Sequence, residues 1–376
     1  ATITNASRPY ITPLTKSRIE SIDFLKVLVM VLMALDHTRD YFHQTFNFLD
    51  LTNPAHTTWP IFVTRWISHF CAPTFSFLAG ISAFMVGKRK TRNQLSGFLL
   101  KRGLWLILIE VTVVTFAWYL DVRFRNIDLA VIWSLGVSMI CLAALIYLPR
   151  NIILVIALLL IFGHNLLDSI HFDGNIWWSI LHELNFFKIS DNLNLNVIYP
   201  IIPWIAVMAL GYCFGIFYDN SVEPSRRRKL FNLNAAVAII LFLSLRWVNV
   251  YGDPVPWKNY ESISSTIFSF LNVNKYPPSL LYLLPTLAGA FLFLANSEKW
   301  KGAVVNFFSV FGRVPFFYYI LHLYLIRVLG MGAAELTGHG WELMVQTSFE
   351  IDLKDFGFHL GRVYVIWMVI ILTLHP

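Results

Sequence analysis

Apolar residues follow one another in long runs along this chain, as in the stretch from Val27 to Leu35, and short polar stretches separate the runs. An apolar helix of about 20 residues spans the hydrocarbon core of a bilayer. The pattern therefore predicts an all-α fold, a polytopic membrane bundle of about ten or eleven helices. The ten predicted spans are residues 20–42, 60–86, 95–119, 128–148, 150–167, 197–218, 229–248, 276–296, 303–329 and 361–375.

The composition agrees with a membrane location. Hydrophobic residues make up 57% of the 376 residues and charged residues only 14%, whereas about a quarter of a soluble domain is charged. Residues 1–17 are polar, and we expect them to form a cytoplasmic tail before a single transmembrane domain over residues 18–376. The tenth span is short for a full crossing, so we also expect the chain to continue past Pro376.

Basic residues lie in the tail and after the even-numbered spans, for example from Lys88 to Arg92 and from Arg226 to Lys229. The first loop on the opposite side, residues 44–59, contains no Lys or Arg. By the positive-inside tendency, both termini are expected in the cytoplasm. The net charge of +7 then reflects helix ends that contact anionic lipid, and we expect no nucleic-acid binding.

Three long connections, residues 168–196, 249–275 and 330–360, fall on the predicted outer side. They carry aromatic residues such as Trp177 and Trp257, which could stack on a sugar. An interfacial aromatic belt is the alternative explanation. Long outer loops favour recognition of a molecule that arrives from outside.

The first span carries ionisable residues at Asp23, Lys26, His37 and Asp40, with spacings of 3, 11 and 3 residues. At 100° per residue, these positions share one broad helix face that connects the two sides of the membrane. Ionisable groups inside a span are costly and are functional candidates by default. The alternative is a solvated polar helix end.

His37 in this span has the character of a general base, provided that a carboxylate orients it. Asp40, three residues later, is the better placed carboxylate, because the adjacent Asp36 points in another direction. Asp36 remains a further candidate. Arg39 and His43 are expected to be interfacial residues.

The second span adds Arg65 and His69, which lie on one helix face at a spacing of four residues. We expect His69 to form an intramembrane pair with His37. The third span carries Glu110 near mid-depth, either as a proton carrier or as a protonated structural carboxyl. Lys101 and Arg102 at its cytoplasmic end could bind cofactor phosphates or act only as topology determinants.

Further candidates occur late in the chain. In the ninth span, Pro315 is expected to kink the helix so that Arg313 and His322 can line one cavity. Lys275 is expected at the outer surface, just before the eighth span.

Motifs for phosphate hydrolysis, zinc proteolysis and lipase chemistry are missing from the sequence. Two intramembrane histidines are too few to predict a metal site.

Several motifs resemble a known family. The stretch "SIDFLKVLVMVLMALDH" resembles the first-helix signature of transmembrane acyltransferases, in which Asp23, Lys26 and His37 occupy the characteristic positions. The segments "HFCAPTFSFLAG", "RGLW", "NKYPPSL" and "GRVPFFYYILH" are similar to the bacterial branch related to heparan-alpha-glucosaminide N-acetyltransferase. The similarity runs from about residue 18 to the end of the chain. Because that branch is bacterial, the resemblance implies a location in a bacterial cytoplasmic membrane.

The resemblance implies transfer of an acyl group, with acetyl expected, from cytosolic acyl-CoA to a sugar or other acceptor across the membrane. It assigns the catalytic role to His37. The glucosaminide enzyme itself has asparagine at that position and is thought to use a histidine of the first outer loop, which His56 matches loosely. Lys26 stands where arginine is more common in the family.

These observations combine into one expected mechanism. Acyl-CoA enters along the first span, with its phosphates near Lys26, Lys101 and Arg102. Arg313 is a fourth candidate for contact with these phosphates. His37, oriented by Asp40 and supported by His69, deprotonates the acceptor, or instead forms an acetyl-histidine. Arg65 or Arg313 stabilises the oxyanion.

Two other functional classes stay open, a proton-coupled transporter of a small or lipid-linked solute and a non-catalytic subunit that docks a partner. Expected partners of the transferase are membrane lipid, acyl-CoA and an extracytoplasmic sugar or glycan. The sequence is compatible with a homodimer.

Overall fold

The computed structural model describes residues 20–44, 52–300, 302, 305, 315–345 and 356–374. Within the described residues, each of the ten predicted spans contains one helix or two consecutive helices. The helices are α1 (Glu20–Phe42), α2 (Trp59–Ile67), α3 (Cys71–Gly87), α4 (Arg92–Ile109), α5 (Thr115–Tyr119), α6 (Val131–Leu145), α7 (Arg150–Gly163), α8 (Ile176–Leu181), α9 (Ile201–Phe214), α10 (Pro224–Val248), α11 (Ile263–Leu271), α12 (Leu280–Asn296), α13 (Pro315–Leu336) and α14 (Leu360–Thr373).

The helices confirm a polytopic membrane bundle. Among the described residues, six helical segments are long and apolar enough to cross a membrane. They are Trp59–Gly87, Arg150–Leu167, Ile201–Tyr218, Pro224–Val248, Leu280–Lys299 and Pro315–Leu336. Val131–Leu145 and Leu360–Thr373 are shorter apolar helices. Leucine and other apolar side chains on α4, α7 and α10 remain exposed, as expected for surfaces that contact lipid.

Two predicted spans are broken by irregular turns. A 3-10 turn, Ser68–Phe70, joins α2 to α3 and contains His69. A π-helical turn, Glu110–Val114, joins α4 to α5. Such turns are frequent where a side chain must point out of the regular helical pattern, and many occur at functional sites.

The opposite ends of the bundle differ in chemistry. At one end, which we call the basic end, Lys88 pairs with Asp219 at 2.7 Å and Arg227 pairs with Glu298 at 2.6 Å. The start of α1 belongs to this end, because Phe24 contacts Trp300. The opposite end, the loop end, holds the longer connections.

A small sheet at the loop end is the local departure from an all-helical expectation. Strands β1 (Asn126–Leu129), β2 (Asn185–Ser190) and β3 (Leu193–Val197) form it in the order β1-β3-β2. The pair β1–β3 is parallel and the pair β2–β3 is antiparallel. The strands are short and lie within connections, so the hydropathy of the spans gives no sign of them.

A buried arginine fastens the next connection at the same end. Arg246, near the end of α10, is 1% exposed. Its guanidinium donates to the carbonyl oxygens of Val255, Ser269, Phe270 and Asn272 at 2.6–3.0 Å. One side chain thus satisfies four backbone acceptors of an irregular segment, which stabilises the loop.

Asp128 of β1 offers a test of the packing at this end. It is 1% exposed and accepts hydrogen bonds from the Tyr119 hydroxyl at 2.7 Å and from the Asn196 amide at 2.8 Å. Burial raises the pKa of its carboxyl above the ordinary value. The folded state therefore binds this proton more tightly than the unfolded state, and stability falls as the pH rises through the folded pKa.

Asp128→Asn should therefore melt at a higher temperature than the parent at pH 8, by about 1 °C or more, and the difference should shrink toward pH 5. The asparagine oxygen can still accept both hydrogen bonds. Thermal unfolding of the purified proteins across this pH range measures the effect. A variant that is less stable than the parent at pH 8 would show that the charged carboxylate stabilises the sheet.

Candidate active site

Two histidines meet inside the bundle where α1 packs on α13. His37 Nδ1 and His322 Nε2 are 2.9 Å apart, and the ring planes differ by only 6°. His322 is fully buried, whereas His37 is half-buried. The hydrogen bond connects residues 285 positions apart, so only the tertiary fold can create it.

The surroundings of His322 define the direction of this hydrogen bond. His322 Nδ1 lies 3.1 Å from the carbonyl oxygen of Tyr318, which can only accept. A neutral His322 therefore carries its proton on Nδ1 and accepts at Nε2. His37 must then donate from Nδ1, and its own Nε2 keeps a lone pair. This is the tautomer that a general base requires.

Aromatic side chains enclose the pair. The Trp118 ring from α5 meets His37 edge-on at a centroid distance of 5.1 Å. Tyr319 contacts both imidazoles, with centroids 6.4 Å from His37 and 5.5 Å from His322. These contacts restrict the ring orientations of both histidines, and they exclude water from part of their surface.

A buried charge cluster surrounds Asp36, beside His37. Asp36 accepts hydrogen bonds from Arg39, from Arg65 at 3.0 and 3.1 Å, and from Lys275 at 3.4 Å. Asp40 accepts from Arg39 at 2.8 Å. Three cations thus face two carboxylates, so the cluster keeps one excess positive charge when all five groups are ionised.

The cluster corrects three predictions. Asp40 is bonded to Arg39, and the hydrogen bond of His37 goes to His322, so Asp40 does not orient His37 as predicted. Arg39 is 0% exposed rather than interfacial. The Lys275 side chain is 10% exposed and reaches Asp36 rather than the outer surface. Because Asp36 attracts Arg65 and Lys275, the segments that carry these two cations converge on α1.

His69 lies elsewhere than predicted. It is 4% exposed and its ring centroid is 5.3 Å from that of Tyr282, whose hydroxyl donates to the His69 carbonyl at 2.9 Å. Its Nδ1 has no hydrogen-bond partner among the described residues. No hydrogen bond or ring contact joins it to His37 in the part of the chain that the structure describes. The histidine beside His37 is therefore His322.

Three other candidates have distinct surroundings. Glu110 is 0% exposed and accepts the Trp133 amide at 2.8 Å, at the start of α6, as a buried structural carboxyl would. His56 is exposed on the first loop of the loop end. Arg313 lies outside the described residues.

A cavity of about 260 Å³ lies between α1, α3, α4, α6 and α13. Its wall is mainly apolar, and its two cationic residues are Lys26 and Arg102. Lys26 lies in the half of α1 nearer the basic end. Met33 and Tyr319 also line the cavity, and they precede His37 and His322 by one helical turn. The cavity therefore extends from the basic half of the bundle toward the histidine pair. Lys101 is exposed and is not one of the described lining residues.

A comparison of the sequence with models of protein families identifies the family of this chain. The model for the catalytic region of heparan-alpha-glucosaminide N-acetyltransferase matches residues 18–251, more than half of the chain. The chain belongs to this family. The heparan-alpha-glucosaminide N-acetyltransferase family is a family of membrane acetyltransferases that use acetyl-CoA as donor, which confirms the resemblance noted in the sequence. No curated protein gives a significant match.

The matched region contains His37, His69, Lys26 and Arg102 but ends before Lys275 and His322. The family model therefore covers only part of the candidate site around His37, and Lys275 and His322 come from the region beyond it. Among the described residues, no group of three or more His, Cys, Asp and Glu side chains is placed to hold a metal ion.

Proposed function

We propose that the protein transfers an acetyl or other acyl group from acyl-CoA, which enters at the basic end, to an amine or hydroxyl of a sugar or similar acceptor at the loop end. The basic end is then cytoplasmic, in agreement with the positive-inside pattern. The observation that carries this proposal is the apolar cavity, which extends from Lys26 and Arg102 to the turns directly before His37 and His322.

The cavity matches the chemistry of the donor. Acyl-CoA combines an anionic nucleotide with a long and weakly polar pantetheine arm that ends in a thioester. Lys26 and Arg102 supply positive charge for the phosphates, and the apolar wall around Leu78, Leu106 and Met139 suits the arm and the acyl group. Lys101 and Arg313 remain candidates for further phosphate contacts at the basic end.

His37 is the proposed general base. Its Nε2 takes the proton from the acceptor amine or hydroxyl, and the acceptor attacks the thioester carbonyl. The tetrahedral intermediate then collapses, the C–S bond breaks, and the CoA thiolate takes the proton from His37. His322 stabilises the protonated state, because its Nε2 accepts the Nδ1 proton of His37 throughout the cycle.

The charge cluster next to His37 complements this chemistry. Its excess positive charge favours the negative charge that develops on the thioester oxygen. Arg65 and Lys275 are the proposed sources of this stabilisation, while Asp36 holds them in place. The aromatic loops of the loop end are the proposed contact surface for the acceptor.

A donor assay tests the proposal. The purified full chain should bind [14C]acetyl-CoA and transfer its label to glucosamine, used as the probe acceptor. Transfer should require both substrates and no ion gradient. Protein that binds no acetyl-CoA, but carries a solute into proteoliposomes in response to a proton gradient, would instead be a transporter.

Narrowing the cavity should weaken donor binding. Ala79 of α3 lines the cavity, and Ala79→Phe places a ring in the path of the pantetheine arm. We expect the KM for acetyl-CoA to rise about tenfold or more, with a smaller change in kcat. Leu104→Phe is the matched control, because Leu104 lies on α4 with 55% of its surface exposed to the lipid side. Equal KM values in both variants would contradict the placement of the donor.

A further inference from the structure

Arg327 of α13 is a buried cation that the proposed chemistry does not use. It is 1% exposed, and none of Nε, Nη1 and Nη2 makes a hydrogen bond of normal geometry among the described residues, although the Tyr41 hydroxyl lies near the guanidinium. The guanidinium carbon lies 5.1 Å from the centroid of the Tyr41 ring, so one face rests on an aromatic side chain. A guanidinium retains its charge in proteins, and its five N–H donors are costly to bury without acceptors.

The position of Arg327 connects it to the histidine pair. On α1, His37 and Tyr41 are four residues apart and share a face. On α13, His322 contacts His37 and Arg327 contacts Tyr41. The Tyr41 ring also stacks on Trp118 at 5.8 Å, and Trp118 contacts His37 at 5.1 Å. Arg327 is therefore about one and a half turns farther than His322 toward the loop end, along the same helix interface.

The helix surface about one turn beyond Arg327 has room among the described residues. Gly330 lies three residues after Arg327, hence on a neighbouring part of the helix surface, and it is buried. A Cβ added at Gly330 would meet only Met344 Sδ, at 4.0 Å, among the described atoms. Buried glycines at helix contacts, such as Gly80, leave no such room. Among the described residues, a cation without an acidic partner thus lies about one turn from a position with room for a side chain.

We propose that Arg327 binds an oxyanion carried by the acceptor, so that the acceptor is an acidic molecule with a carboxylate, phosphate or sulfate near the reacting group. This inference rests on the proposed acyl transfer and deepens it. The planar guanidinium matches such a group with two parallel N–H donors. Binding would supply the missing charge and would direct the acceptor toward His37. Arg327 lies outside residues 18–251, so the family model does not assign it this role.

Direct binding provides the test, with glucosamine 6-phosphate as the charged probe and glucosamine as the neutral one. The purified full chain is melted without acyl-CoA at constant ionic strength. Glucosamine 6-phosphate should raise the melting temperature saturably, and Arg327→Met should require about tenfold more probe or lose the effect. Arg327→Lys should bind with intermediate strength. Arg228→Met, which changes an exposed arginine of α10, should bind as the parent does.

Stability without the probe separates a binding role from a structural one. If Arg327 is unpaired, Arg327→Met should melt at the same temperature as the parent or higher, because an uncompensated buried charge is removed. Gly330→Leu should fill the adjacent space and weaken probe binding while the protein stays folded. Glucosamine 6-sulfate and glucuronate then show which oxyanion is preferred.

Two results would overturn the proposal. One is equal stabilisation of the parent and of Arg327→Met by glucosamine 6-phosphate, or none in either. The other is a lower melting temperature for Arg327→Met that a triple variant, Glu350→Gln with Asp352→Asn and Asp355→Asn, reproduces, since Arg327 would then pair with the chain itself. Because binding is measured without a donor, a failed transfer assay with intact probe binding would reject the acyl transfer and leave the anion site standing.

Discussion

His37→Ala is expected to lower acyl transfer about 10²–10⁴-fold, the contribution typical of a general base. Of the four imidazole nitrogens of the pair, Nε2 of the half-buried His37 is the one that the hydrogen bonds to His322 and Tyr318 do not use, so its lone pair is available for a proton. The KM for acetyl-CoA should change little, since His37 is not one of the described residues that line the donor cavity. Steady-state kinetics with [14C]acetyl-CoA separate the two parameters.

His56 supplies the control for this experiment. It is an exposed histidine on the first loop of the loop end, where the glucosaminide enzyme is thought to have its catalytic histidine. His56→Ala should keep the parental rate within about twofold. If His56→Ala abolished transfer and His37→Ala did not, the catalytic base would lie on the loop and the histidine pair would have a structural role.

His322 should behave as a positioning residue. His322→Ala removes the acceptor for the Nδ1 proton of His37, so the imidazole can rotate or take the other tautomer. We expect a smaller loss of kcat than for His37→Ala, together with a shift in the pH profile of kcat/KM. His322→Gln retains an acceptor oxygen and should recover part of the rate, which a purely steric role would not predict.

The helical bundle follows from the sequence because hydropathy acts over whole spans. Every predicted span contains a helix, and the polar breaks at His69 and Glu110 are the points where irregular turns interrupt the helices. The sheet formed by β1, β2 and β3 could not be predicted in this way. Its strands are short, and β1 joins the sheet through contacts between residues about 70 positions apart, such as Asp128 with Asn196.

The sequence identifies most residues of the candidate site, but it does not identify which of them contact one another. His37, Asp36, Arg65 and His322 were candidates because an ionisable group in an apolar run is recognisable without a structure. Lys275 was a candidate at the outer surface, just before the eighth span. Their partners were assigned from helical spacing within one span, and this is why Asp40 was favoured to orient His37. The observed partner comes from α13, and no spacing along α1 contains that information.

Arg246 and Arg327 also show that the sequence does not reveal the contacts of a buried charged residue. Each is one arginine within an apolar helix, which resembles a topology determinant near a helix end. The two differ only in their surroundings, since Arg246 meets four carbonyl oxygens while Arg327 meets an aromatic ring and makes no hydrogen bond of normal geometry among the described residues. Identical residue types in similar sequences therefore have opposite energetic consequences, and only tertiary contacts distinguish them.

The contact between α3 and α9 should be the most sensitive packing site. A Cβ at Gly211 would lie 2.0 Å from the Phe77 carbonyl oxygen, and a Cβ at Gly80 would lie 2.0 Å from the Met208 carbonyl oxygen. Backbone atoms cannot rotate away as a flexible side chain can, so the helices must separate. α3 also carries Ala79 and Ser82 of the donor cavity, hence a shift at this contact reaches the site.

Gly211→Ala should therefore destabilise the protein by about 2 kcal/mol or more and lower acyl transfer as well. Gly97→Ala on α4 is the matched control, because a Cβ there meets nothing within 4 Å among the described residues. Alanine is the better helix former by about 1 kcal/mol, so this control should match or exceed the parent in stability. Thermal unfolding of both variants in one detergent compares them directly. Equal melting temperatures would mean that α3 and α9 pack less closely than the backbone distances indicate.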